Sequence, residues 1–155
     1  MEFISPTKGR LSFEQVFEEI LAYASLFPED NYRLIVGTDS QLRDETCFVT
    51  ALIVHRQGKG GRFFYTRKYE RHAHSLRQRI FYEASLSLNV ASLFTERLAA
   101  SGRELNLEIH LDVGTNGATK TLVKEVVGMV NGSGYFCRIK PEAYGAATVA
   151  DRYTK

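Results

Sequence analysis

"YRLIVGTDSQ", residues 32–41, begins as a strand built for burial and ends in small and polar residues with an aspartate among them. Leu34, Ile35 and Val36 form the continuous apolar run of a strand covered on both faces. Gly37, Thr38, Asp39 and Ser40 are turn chemistry, because glycine tolerates unusual backbone angles while Asp and Ser hydrogen-bond their own backbone. One reading is that the strand stops at Asp39 in a turn. The other is that Asp39 stands at the strand's carboxyl end to hold a metal ion. The choice depends on which other elements meet there.

Upstream, Ser12 opens a helix with Gln15 three residues on, the spacing of a capping box. Phe13, Val16, Phe17, Ile20, Leu21 and Ala24 recur at helical period, and Pro28 closes this leading segment, residues 1–28. Downstream, "TCFVTALIVHR" (46–56) and "GRFFYTRKYER" (61–71) read as strands joined by the Gly-Lys-Gly-Gly turn at 58–61. The period then changes: Leu76, Ile80, Ala84, Leu88, Ala91 and Leu98 trace a helical stripe that Gly102 ends. "LNLEIHLDVG" (105–114) is a strand that again finishes at an aspartate, and 117–130 is a helix with Leu122, Val126 and Val130 on one side. "GYFCRIK" (134–140) is a fifth strand. Pro141 suits a helix first turn, so 141–155 reads as a final helix weakened by Gly145.

After the leading helix the order is β-β-β-α-β-α-β-α. A three-strand antiparallel meander is followed by two crossover units, which require a parallel portion of the same sheet. The expected fold is therefore α/β, a single domain over 1–155 with a five-stranded mixed sheet and helices on both faces.

The bulk composition excludes several classes. The chain has 155 residues, 44% hydrophobic and 25% charged, an ordinary globular balance. No apolar run reaches the ~18 residues of a membrane span. A net charge of +2 neither demands nor opposes a nucleic-acid partner. The two cysteines, Cys47 and Cys137, sit in apolar runs without a C-x-x-C or a nearby His, as core residues do, so no disulfide partner is expected. "MEFISPTKGR" lacks the apolar stretch of a signal peptide, and the expected compartment is the cytoplasm. Composition is silent on oligomeric state.

In open α/β sheets, sites form beyond the carboxyl ends of parallel strands. If strands 32–39 and 105–112 are adjacent and parallel, Asp39 and Asp112 meet there. Neighbouring carboxylates repel unless one takes a proton or a cation intervenes, and a hard ion such as Mg²⁺ or Mn²⁺ prefers oxygen donors. Glu83, at the edge of the buried stripe, and Asp151, in the last helix, could join them. Taken singly, Asp39 and Asp112 also suit turns, and Glu83 and Asp151 also suit solvated helix faces. The order of the elements that carry them favours a shared site.

That order, a strand acid, a helix Glu, a second strand Asp and a late helix acid, resembles the ribonuclease-H-like nucleases. The chain also resembles the YkuK-type family of ribonuclease-H-like proteins, in "GTDSQ" (37–41), "RIFYEASLSL" (79–88), "IHLDVGTNGATKTLV" (109–123) and "IKPEAYGAATVADRYTK" (139–155). The resemblance implies a metal-dependent nuclease acting on RNA, DNA or a hybrid, with Mg²⁺ or Mn²⁺ as one or two ions. It implies that Asp39 bridges two metals, that Glu83 and Asp112 hold one and that Asp151 holds the other. In such chemistry the ions serve the attacking water and the leaving oxygen of a phosphodiester. The rival reading is a nucleic-acid-binding or scaffold protein of the same fold with little catalysis.

Secondary expectations concern substrate contacts. Ser40 and Gln41 are candidates to read a 2′-OH. His72, His74 and Arg79, with Arg71 and Arg77 around them, are candidates to contact phosphate. Lys140 and Tyr144 could touch a phosphate or orient Asp151, and His110 shares a face with Asp112. Lys59, Arg62, Arg67 and Lys68 could extend a basic track along the hairpin. "DVGTNG" (112–117) resembles the phosphate loop of actin-like ATPases and sugar kinases, a minor alternative.

Overall fold

The computed structural model describes residues 1–71 and 75–154. Its strands are β1 (Glu2–Ser5), β2 (Gly9–Ser12), β3 (Tyr32–Leu42), β4 (Thr46–Arg56), β5 (Gly60–Glu70), β6 (Asn106–His110) and β7 (Phe136–Arg138). Its helices are α1 (Phe13–Ser25), α2 (Leu76–Ser101) and α3 (Val123–Gly132), with a 3₁₀ turn at Lys120–Leu122 and a π-helix at Gly145–Ala150. The strands form one mixed sheet in the order β2-β1-β5-β4-β3-β6-β7.

The centre of the sheet follows the sequence reading closely. β3 and β4 pair antiparallel without a break from Tyr32↔Arg56 to Leu42↔Thr46, and β4 and β5 from Thr46↔Glu70 to Arg56↔Gly60. β6 joins β3 in parallel, and β7 joins β6 in parallel, as the crossovers require. The sheet has seven strands rather than five. The extra pair is a hairpin, Glu2↔Ser12 to Ser5↔Gly9, which docks on the meander through Ile4↔Tyr65. Ser12 therefore has two duties, ending β2 and capping α1. Its Oγ accepts from the Gln15 N–H at 3.2 Å, and Gln15 Oε1 accepts from the Ser12 N–H at 2.8 Å, completing the expected capping box.

Alternation divides the sheet into two unlike faces. Leu34, Val36, Leu52, Val54, Phe64 and Ile109 point to the face covered by α1, α2 and α3, where the main core lies. Phe94 of α2 ties this core to the N-terminus, with ring centroids 6.0 Å from Phe3 and 4.6 Å from Phe13. Each such aromatic pair adds about 0.5–1.5 kcal/mol beyond its area burial. The second face is covered by the C-terminal segment. Ala150 packs with Cys47, Val49, Ala51 and Tyr65, and Tyr153 stacks on Tyr65 at 4.0 Å.

Three boundaries differ from expectation, each for a local reason. β3 continues to Leu42, because β4 offers partners down to Thr46 and the turn closes only at Arg43 N–H to Glu45 O, 3.1 Å. Asp39 is therefore inside a strand, opposite Val49, and is not a strand-end turn residue. β6 stops at His110, so Asp112 lies two residues past its end. The final helix does not begin at Pro141. The Lys140 N–H is still bonded to Val113 O, 2.9 Å, and the Glu142 N–H turns back onto Ile139 O, 2.9 Å, so helical geometry starts only around Tyr144. Likewise the 117–130 helix begins with the 3₁₀ turn, and its α-helical part is Val123–Gly132.

Among the described residues no helix is long and apolar enough to cross a membrane. Cys47 and Cys137 are free thiols.

Candidate metal centre

The cleft is made by a mismatch in strand length. β3 pairs with β6 only as far as Gly37↔His110, yet continues five residues further to Leu42. Past that point the chain of β6 peels away from β3 but stays tied to the β7 side. The Leu111 N–H bonds Arg138 O at 2.9 Å, and the Lys140 N–H bonds Val113 O at 2.9 Å. Asp39 faces this opening from β3 and Asp112 faces it from the departing chain.

Glu83 arrives from α2. It is buried, one of the stripe Ile80, Glu83, Ala84, Ser87 that packs on the sheet. A carboxylate survives there because β3 alternates polar residues on that face. Ser40 Oγ donates to Glu83 Oε2 at 2.5 Å, and one helical turn on, Ser87 Oγ meets Thr38 Oγ1 at 2.7 Å, which in turn meets Thr50 Oγ1 at 3.0 Å. This hydroxyl ladder fixes the docking of α2. Asp151 arrives from the other face, directly after the π-helix, and hydrogen-bonds the Asp39 carboxyl.

The four acids therefore converge on Asp39. Burial, the Glu83 charge and hydrogen bonds to Asp151 and Asp112 push Asp39 up to about 9. Burial, with the Asp112 charge, pushes Glu83 up to about 8, against the Ser40 hydrogen bond and the charges of Arg79 and Lys140. Two cations from the sequence expectations thus reach the site. Lys140 Nζ lies 3.0 Å from Asp112 Oδ1, and Arg79 is one turn before Glu83 on α2 with its Nε buried and without a partner. Gly114 makes room for Lys140, since a Cβ there would come 3.3 Å from the Lys140 Cβ.

The donor set suits a hard divalent ion, being all carboxylate, mutually repelling and held in a partly buried cleft. Among the described residues, no three His, Cys, Asp or Glu side chains already stand as a metal-binding set. Instead the Asp39 carboxyl is hydrogen-bonded to Asp112 and Asp151, and Lys140 pairs with Asp112. Two larger concavities, of about 570 and 680 Å³, lie at the β1–β2 turn and the β3–β4 turn instead of over the acids. Convergent chemistry, not cavity size, picks the site.

The chain matches the ribonuclease H-like family over residues 15–155. The "Uncharacterized protein YkuK" of Bacillus subtilis (strain 168) is 34% identical over 166 residues, covering 99% of this chain and 96% of that protein. The chain belongs to the ribonuclease H-like family. No solved structure matches it.

Other residues of this ribonuclease H-like chain take roles that the sequence did not announce. Ser40 holds Glu83, so its hydroxyl is already committed. Gln41 lies on the Asp39 face of β3, opposite Cys47. His72 and His74 lie outside the described residues. His110 is fully buried: its Nε2 meets Glu108 Oε1 at 2.7 Å and its Nδ1 accepts the Gly145 N–H at 3.0 Å. That arrangement requires a neutral ring, and burial lowers its pKa despite Glu108. Gly145, which looked like a flaw in a helix, is the contact point, because a Cβ there would meet Ile35 Cγ2 at 2.8 Å. Tyr144 packs edge-on to His110 at 4.9 Å and contacts Arg33, so it braces the same anchor. Three of the hairpin cations have partners within the chain. Arg62 lies over the Tyr23 ring, Arg67 donates to Tyr153 O and Lys68 pairs with Glu70. In "DVGTNG", the Gly114 N–H is taken by Thr119 Oγ1 at 3.1 Å.

Proposed function

We propose that this protein hydrolyses phosphodiester bonds in RNA, DNA or an RNA/DNA hybrid with divalent metal ions held by Asp39, Glu83, Asp112 and Asp151. The observation that carries the reading is the meeting of Asp112 and Asp151 on the Asp39 carboxyl, with Glu83 beside them, where β3 outruns β6. Family membership supports a nucleic-acid-related role. Asp39 is the shared donor, with Glu83 and Asp112 on one side and Asp151 on the other. Bound there, Mg²⁺ or Mn²⁺ polarises a phosphoryl oxygen and makes a coordinated water more acidic.

The chain's own contribution is positional. Ser40 holds the Glu83 carboxylate in one orientation, and the hydroxyl ladder behind it holds the helix. The His110–Gly145 bond sets the segment that delivers Asp151. Arg79 and Lys140 offer cationic partners to the phosphate whose negative charge the acids would otherwise repel. No side-chain nucleophile is required.

A second reading, nucleic-acid binding with little hydrolysis, is favoured by the Lys140–Asp112 pair, which already neutralises one of the acids. Labelled single-stranded RNA, duplex DNA and hybrid, incubated with Mg²⁺ or Mn²⁺, separate the two. Metal-dependent cleavage that disappears in Asp39→Asn supports hydrolysis. Metal-independent binding without cleavage supports the second reading.

A further inference from the structure

Beyond Lys140, the second face of β7 carries a short ladder that the acid site does not use. Phe136, Arg138 and Lys140 alternate with Cys137 and Ile139, which turn inward to the main core. Phe136 is 60% exposed, so its ring is open to solvent. The Arg138 guanidinium lies 5.1 Å over that ring and donates through Nε to Glu108 Oε1 at 3.1 Å. Glu108 also faces Arg33 at 3.5 Å, so it is already matched, and the Arg138 side chain remains 35% exposed. Lys140, 49% exposed, ends the ladder on Asp112. Strand geometry sets Phe136 and Arg138, the two members within β7, about 6.6 Å apart, the scale of one nucleotide in an extended strand, and Lys140 follows two residues past the strand end. The series is therefore aromatic ring, guanidinium, ammonium, acid site.

We infer that this ladder is a track for one unpaired nucleic-acid strand, whose phosphates follow Lys140 and Arg138 and whose base stacks on Phe136. The inference rests on the hydrolytic reading for the position of the scissile bond, but the track itself is a binding surface. A duplex offers phosphates but keeps its base faces stacked, so a flat exposed ring at the outer end favours a single strand. Stacking recognises every base, so the track binds without sequence preference. It also selects substrates with a single-stranded stretch beside the cleaved bond.

The chain has no tryptophan, so Phe136→Trp places a sole fluorescent reporter on the track. The probes are a labelled single-stranded oligo(dT) and its duplex, titrated in chelator so that hydrolysis stops. Single strand should quench Phe136→Trp and bind it as tightly as wild type. Phe136→Ala should weaken single-strand binding roughly tenfold with an unchanged salt slope. Arg138→Gln should lower the slope of log affinity against log salt by about 0.7, the loss of one phosphate contact. Wild-type affinity in both loss variants, or no quenching where wild type binds, overturns the track. Divalent-ion stabilisation and cleavage that persist in those variants would leave the acid-site reading standing. If wild type binds the duplex as tightly as the single strand and Phe136→Ala affects neither, the surface is a duplex contact and the inference fails. If wild type binds neither nucleic acid in chelator, the track fails, while the hydrolytic reading is decided separately by metal-dependent cleavage.

Discussion

Raising the pH should destabilise this protein when divalent ions are stripped away, and Asp39→Asn should remove much of the effect. Asp39 and Glu83 are held near 9 and 8, against ordinary values of 3.8 and 4.5. A carboxyl raised in the folded state keeps its proton there while the unfolded chain has lost it. Its stabilisation is complete below about pH 4 and is lost as pH climbs towards the folded value. Between pH 6.5 and 8 His55 and His110, both lowered by burial, act in the opposite sense, adding a little stability as the unfolded imidazoles lose their last protons, and the raised Cys137 thiol, at about 11, adds almost nothing. One proton held only by the folded state changes stability by about 1.4 kcal/mol per pH unit. Over this window that is about 2 kcal/mol for Asp39 alone. For a chain of this size it corresponds to a fall in Tm of roughly 4–8 °C. The assay is thermal unfolding in EDTA at half-unit pH steps, wild type beside Asp39→Asn. Saturating Mg²⁺ should raise the wild-type Tm most at pH 8, by about 2.7 kcal/mol of stability at a hundredfold excess over Kd. A flat wild-type profile in EDTA, or the same slope in Asp39→Asn, would refute the idea that Asp39 shares protons at the centre of the acids.

Three further outcomes follow from named contacts. Ser40→Ala removes the donor that orients Glu83 and should lower metal affinity or turnover by about 10–100-fold, measured by calorimetry and initial rates. Gly145→Ala forces a Cβ against Ile35 and His110 and should destabilise the fold by about 1–3 kcal/mol, read in urea unfolding, with activity falling because Asp151 follows that contact. Lys140→Met should tighten Mn²⁺ binding, since the ammonium 3.0 Å from Asp112 competes for the same oxygen, while weakening oligonucleotide binding in an anisotropy titration.

The legible parts of the fold were those where local chemistry and tertiary structure agree. β-branched runs and the glycine turn at 58–61 placed β4 and β5 within a residue, and Ser12 with Gln15 placed the start of α1. The N-terminal hairpin escaped because its strands have four residues each and only Phe3 and Leu11 give a period; Pro6 to Gly9 was the turn signal available. From sequence Asp39 reads as a strand end because Gly-Thr-Asp-Ser has turn chemistry. Those hydroxyls in fact face Ser87, Thr50 and Glu83 across long-range contacts that no local window contains. The convergence of the four acids is legible because each is delivered by a different stretch of chain, β3, α2, the segment after β6 and the end of the π-helix, and the order of elements is readable. The Glu108–His110–Arg138 network was not, because Arg138 lies 30 residues from Glu108 in the chain and meets it only through the register of β6 and β7.

Charge sets the logic of the site more than shape does. Four carboxylates brought together in one place must be neutralised: burial and mutual repulsion raise Asp39 and Glu83 so that they favour the protonated form, and Lys140 pairs with Asp112. A divalent ion would displace those protons and compete with that ammonium. On the proposed reading, metal binding would therefore release protons and free Lys140 together. Lys140 is also the ladder member next to the acids, just past β7. Ion loading and strand binding would then be coupled through this one side chain, which would pass from Asp112 to the phosphate. In Lys140→Met the two affinities should lose this dependence on each other, so that oligonucleotide no longer changes the apparent Kd for Mn²⁺. Linkage requires the coupling to be mutual, which makes its disappearance measurable from either ligand.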